Sequence, residues 1–157
     1  MNIFNKYKYS SNFEKIDRRI FKARILKVNK ASPHTGLIWD KLVVLKGIEK
    51  VKANTDFPCK LIGENMVSLD NACNIIDLYL EDNYLSLTIN VFEKYLPFFH
   101  SPKNLYPALI ASNHKVNWYH PRGAVVVEAT FNCITVNSDT INVYDKHSLK
   151  PNNYEYL

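Results

Sequence analysis

Glycine is scarce in this chain of 157 residues: Gly36, Gly47, Gly63 and Gly123 are all there is. They stand too far apart for a G-x-G-x-x-G or a Walker loop, so nucleotide binding through a glycine-rich phosphate cradle is excluded. Arginine is almost as rare, confined to Arg18, Arg19, Arg24 and Arg122, and lysine carries most of the positive charge. The three cysteines, Cys59, Cys73 and Cys133, are odd in number and widely spaced, with no C-x-x-C. Neither a zinc ribbon nor a redox pair is indicated, and free buried thiols in a reducing compartment are expected. Long apolar runs are missing too. The longest, Gly123 to Val127, falls far short of the roughly 20 residues a membrane helix needs, so membrane insertion is not expected. The first residues, Met-Asn-Ile-Phe-Asn-Lys-Tyr-Lys-Tyr-Ser-Ser, lack the apolar core and small-residue cleavage site of a signal peptide. The expected location is the cytoplasm, or a particle assembled inside a cell.

What is present is ordinary for a globular chain: 46% hydrophobic residues, 22% charged residues, ten tyrosines and a formal net charge of +5. The length fits one domain with a real core. The clearest pattern runs from Asn74 to Phe92. Leu85, Leu87, Ile89 and Val91 alternate with Ser86, Thr88 and Asn90, the period of a strand with one buried and one wet face. Ile76, Leu78 and Leu80 alternate with Asp77, Tyr79 and Glu81 before them. Asp82-Asn83 lies between and tolerates the left-handed backbone of a two-residue turn, which predicts a β-hairpin.

Elsewhere the chain reads as short strands between turns. Strands are expected at Ile20 to Val28, at Leu37 to Leu45 with a continuation over Ile48 to Val51 after a bulge at Gly47, and at Ala124 to Val136. Cys59 to Ile62 and Met66 to Leu69 flank Gly63-Glu64-Asn65 as a second hairpin, and Thr140 to Tyr144 runs back after Asn137-Ser138-Asp139. Pro102 opens a short helix over Asn104 to Ser112. The expectation is a single all-β domain over 1–157, a sandwich or partly closed barrel, with one or two short helices in 93–113. An aromatic N-terminal arm (1–17) and a polar C-terminal tail (146–157) flank it. The Pro-rich aromatic stretch 95–122 reads as one long insertion of the kind that carries function on β scaffolds.

Within it, Asn113 to Arg122 is densest in functional side chains. Trp118, Tyr119, His120, Lys115 and Arg122 fit an interface hot spot, where Trp, Tyr and Arg dominate. The same aromatics stack on bases in single-stranded nucleic-acid sites while basic groups meet phosphates; Lys115 and Arg122, with Arg18, Arg19 and Arg24, are the residues of that alternative. A third reading uses His114 and His120 as acid and base of a small hydrolase. As metal ligands, His114 and His120 stand six apart, matching no standard spacing, and His34, His100 and His147 are scattered. Asp77, Glu81 and Asp82 do not form the carboxylate pair of a hydrolase. No catalytic residue, cofactor or metal site is therefore assigned. The expected function is a non-enzymatic structural or assembly subunit of a larger complex, such as a component of a viral particle, working with other protein subunits in a homo- or hetero-oligomer. A basic nucleic-acid-binding β-barrel is the alternative.

Overall fold

The computed structural model describes residues 13–32, 35–62, 68–69, 72–137 and 154–156. The predicted hairpin is its most regular part. β6 (Cys73–Glu81) and β7 (Tyr84–Val91) pair antiparallel around Asp82 and Asn83, whose φ angles of 53° and 64° are those the two-residue turn demands. Leu85, Leu87, Ile89 and Val91 are all fully buried, as the alternation predicts. Two details differ. A register shift between Ile75 and Asp77 extrudes Ile76, which is 54% exposed although its apolar neighbours Leu78 and Leu80 face inward or partly so. Ser86, expected on the wet face, is buried because its cross-strand neighbours Arg24 and Tyr79 are long enough to cover it.

β2 (Ile20–Lys27) pairs with β7, and the short β1 (Glu14–Lys15) pairs with β2, giving an antiparallel sheet of order β1-β2-β7-β6. Phe21, Ala23 and Ile25 of β2 point into the core. Of the N-terminal arm expected over 1–17, residues 13–17 are described, and Glu14 and Lys15 among them are strand β1. Phe13 is 2% exposed, its ring set edge-on to Phe99 at 5.7 Å, and Phe99 also meets Phe21 at 4.8 Å. Residues 1–12 lie outside the described residues.

The second sheet is built on two long strands, β8 (Tyr106–Tyr119) and β9 (Gly123–Asn137), 14 and 15 residues, paired antiparallel. β4 (Cys59–Ile62) adds to β9 in parallel, β5 (Ser68–Leu69) adds to β4, and β10 (Tyr154–Tyr156) adds to β8 in parallel. The turn of the second predicted hairpin, Gly63-Glu64-Asn65, and the predicted strand Thr140 to Tyr144 lie outside the described residues. Half of the expected 95–122 insertion is thus the sheet strand β8. Three register shifts along β8 and β9 break the period of two, which hides the strand from a pattern search. Pro107 breaks no helix; it lies in β8 opposite Val136, and the helical turns of this region are 3₁₀ segments at Glu93–Phe99 and Pro102–Asn104.

The strand expected over Leu37 to Leu45 and Ile48 to Val51 is a helix. Only β3 (Ile38–Trp39) is extended; α1 (Lys41–Ala53) follows. Asp40 starts it by accepting a hydrogen bond from the Leu42 amide at 3.2 Å. Val43, Val44, Gly47, Ile48 and Val51 are its buried residues, a helical rather than a strand spacing. Gly47 is no bulge: a Cβ there would stand 2.2 Å from Cε2 of Phe131, so the missing side chain lets the helix lie close to β9. β3 pairs with β9 at Val125 and Val126, and β4 pairs with it at Ile134 to Asn137. The helix bridges these two fragments along the same edge and also touches β6, where Lys52 Nζ lies 3.4 Å from Asp77 Oδ1.

The two sheets enclose one core. Leu78, Leu85, Leu87, Ile89 and Val91 from the first meet Leu61, Leu109, Val116, Val126, Ile134 and Val136 from the second. The architecture is an all-β sandwich with short helices and not a closed barrel. No helix among the described residues is long and apolar enough to cross a membrane.

Candidate interface at the tip of the long hairpin

β8 and β9 end at the pair Tyr119–Gly123, and His120, Pro121 and Arg122 make the turn between them. The His120–Pro121 peptide is cis. Gly123 has φ 117°, a conformation closed to ordinary side chains. The segment expected as a functional loop is therefore a strand end and a tight turn.

From Val116 to Tyr119 the register is regular, so successive side chains point to opposite faces. Val116 is fully buried in the core. Trp118, on the same face two residues further out, is 66% exposed, and Tyr119 on the other face is 47% exposed. Their cross-strand partners are Ala124 and Gly123, too small to cover either ring. The Tyr119 hydroxyl accepts a hydrogen bond from Asn117 Nδ2 at 3.0 Å, which fixes that ring on the strand. Arg122 anchors the turn to the body: its guanidinium donates to Asn29 Oδ1 at 3.0 Å and lies 4.0 Å from Asp40 Oδ1. His120 is exposed in the turn, and Lys115 pairs with Glu128 at 3.4 Å across the hairpin. Of the five predicted interface residues, Trp118, Tyr119 and His120 are presented outward. Lys115 and Arg122 hold the hairpin and its turn.

The two histidines are not brought together. His114 is 1% exposed, its ring edge-on to Trp39 at 5.8 Å, and Trp39 in turn meets Phe131 at 6.1 Å. Burial pulls its pKa below the ordinary value. His120 lies in the turn, and a strand rise of roughly 3.3 Å per residue puts the two backbones on the order of 15 Å apart. His114 is thus a core side chain and His120 a surface one.

The residues of the nucleic-acid alternative are likewise dispersed. Arg18 pairs with Glu93, Arg19 Nε donates to the Val91 carbonyl at 2.9 Å, and Arg24 lies over the Tyr84 ring at 4.4 Å with Asp82 at 3.5 Å. These three belong to the first sheet and the turn leading into it; Lys115 and Arg122 belong to the second. Each already has a partner within the chain.

The three cysteines are free and buried. A hydrogen bond to Cys73, together with burial, pushes the Cys59 thiol well above its ordinary pKa, which makes it a poor nucleophile. Among the described residues no three His, Cys, Asp or Glu side chains are grouped to hold a metal ion. The surface that pattern reading missed is the outer face of α1, with Leu42 67% and Leu45 38% exposed. Asp40 before an apolar run was the available signal for that helix. Comparison of the chain with known protein families, with curated proteins and with solved structures found no match.

Proposed function

We propose that this chain is a non-enzymatic structural subunit that docks on other protein subunits through the tip of its β8–β9 hairpin. The observation that carries the reading is Trp118: a large aromatic, two-thirds exposed, held on a paired strand rather than on a loose loop. Exposing an indole costs solvation and gives the fold nothing, whereas an aromatic on a rigid support enters a partner with little entropy to lose. The turn behind it is tied down by Arg122 to Asn29 and Asp40, so the tip arrives preorganised. A viral or other intracellular particle is the setting this reading favours, with homo- or hetero-oligomeric contacts.

The nucleic-acid alternative is supported by the net charge of +5 and by the same aromatics. Size-exclusion chromatography with light scattering, run beside titration with single-stranded DNA at several salt concentrations, separates the two. Self-association, or association with a co-expressed subunit, that Trp118→Ala weakens supports the assembly reading. A monomer that binds the oligonucleotide with a steep salt dependence overturns it.

A further inference from the structure

We propose that Cys59 and Cys73 form a redox-responsive pair, which a peroxide closes into a disulfide that ties the two sheets together. The inference stands apart from the assembly reading, since it concerns the interior and not the hairpin tip.

In the sequence the cysteines stand far apart, with no C-x-x-C among them. The fold brings them together. Cys59 opens β4 in the second sheet and Cys73 opens β6 in the first, and these two strands touch where the sheets close on each other. Both side chains belong to the shared core, at 3% and 4% exposure. Each is held by strand pairing, Cys59 opposite Ile134 and Cys73 opposite Val91. The two thiols are hydrogen-bonded to each other. Cys133 is near, but it precedes Ile134 on β9, so its side chain leaves the opposite face of that strand from the one Cys59 shares. All three are thiols in this structure.

The hydrogen bond favours the protonated form of Cys59, so Cys59 donates and the Cys73 sulfur accepts. Cys73 is therefore the sulfur that attacks. Peroxide is small, and local opening at the edge made by the four-residue β4 and the two-residue β5 admits it. An S–O bond forms on Cys73, the O–O bond breaks, and the Cys73 proton leaves with the displaced hydroxide as water. Cys59 then attacks the Cys73 sulfenic acid. The S–S bond forms, the S–O bond breaks, and the sulfenic oxygen departs as water with the Cys59 proton. Two thiols and one hydrogen peroxide thus give one disulfide and two waters. Rotation of the two side chains carries hydrogen-bonded sulfurs to the disulfide separation of about 2.05 Å. The bond closes the stretch 59–73 into a loop and so narrows the unfolded ensemble. In a reducing compartment the thiols persist; under oxidising conditions the sheets become covalently joined.

The test uses the full-length protein, reduced, exposed to hydrogen peroxide, quenched, then denatured and alkylated. Intact mass should show one alkylated cysteine, where the untreated protein shows all three of Cys59, Cys73 and Cys133 alkylated. Peptide mapping should join Cys59 to Cys73 and find Cys133 alkylated. Oxidation should raise the melting temperature by about 5–10 °C, and a dithiol reductant should reverse the rise. Cys133→Ser should keep both the cross-link and the rise, and Cys73→Ser should lose both. The mapping needs only the wild type, so it decides the matter even where Cys73→Ser folds poorly. Three alkylated cysteines after treatment, a cross-link that includes Cys133, a bond between two chains, or sulfinic acid on a single cysteine overturns the inference. The assembly reading survives any of these, because it is tested by the association of Trp118→Ala and not by thiol state.

Discussion

Leu87 and Thr88 are adjacent in β7 and differ in almost everything else. Leu87 is fully buried between the sheets, while Thr88 lies on the other face, half-covered, its hydroxyl 3.4 Å from that of Tyr79. Leu87→Asp places a carboxylate where nothing pairs it and should cost more than about 4 kcal/mol; Thr88→Asp should cost less than about 1 kcal/mol. Urea melts of the two variants check this. Gly47 makes a second contrast. On helix propensity alone Gly47→Ala would stabilise α1 by about 1 kcal/mol. The new methyl would overlap the Phe131 ring, which is itself held against Trp39, so a net loss of about 1–3 kcal/mol is expected. Phe131→Leu in the same chain should recover part of that loss, a non-additivity that a double-mutant cycle measures. His114 links a residue to pH. Its folded pKa is depressed by burial below the ordinary value of 6.5, so the unfolded chain takes up a proton first as the pH falls. The stability held by the neutral ring is fully present above about pH 6.5 and drains away as the pH drops toward the lowered folded value. Melts between about pH 8 and pH 5 should show this slope in the wild type, and His114→Phe should remove its share.

At the scale of elements, Phe13 and the short β1 are part of the packed fold. Phe13 packs on Phe99, and Glu14 and Lys15 pair with Lys22 and Phe21. Deleting residues 1–16 should therefore destroy cooperative melting, and Phe13→Ala alone should cost about 3–5 kcal/mol. The sequence pattern starts the first strand at Ile20 and misses this, because a two-residue strand has no period to detect. The same limit separates what was legible from what was not. The β6–β7 hairpin is legible because its buried face is unbroken over Leu85 to Val91 and its turn residues are specific. α1 is not, because Leu42-Val-Val-Leu45 is a short apolar run that strand and helix share; the cap at Asp40 and the close approach at Gly47 settle it only once Phe131 is placed. β8 is hidden by its bulges and by Pro102 and Pro107 near its start. The chemistry-bearing residues of Asn113 to Arg122 were visible by type. Their roles were not, because whether Lys115 or Arg122 meets a partner or holds the hairpin depends on Glu128, Asn29 and Asp40, which the sequence places 13, 93 and 82 residues away.

The whole molecule is a sandwich with one core between its two sheets, and its long hairpin carries two exposed aromatic rings on opposite faces of its tip. Nothing in the core asks for Trp118: the residue below it on the same face, Val116, already closes the interior. The tip is rigid, tied to the loop at Asn29 and to the start of α1, so removing the indole leaves the fold in place. The most direct measurement is the association free energy of wild type and Trp118→Ala, obtained by light scattering or sedimentation over a concentration series, with thermal melts run alongside. The account predicts unchanged melting and a loss of more than about 2 kcal/mol of association in Trp118→Ala, with His120→Ala close to wild type. A Trp118→Ala protein that assembles as well as the wild type would contradict it.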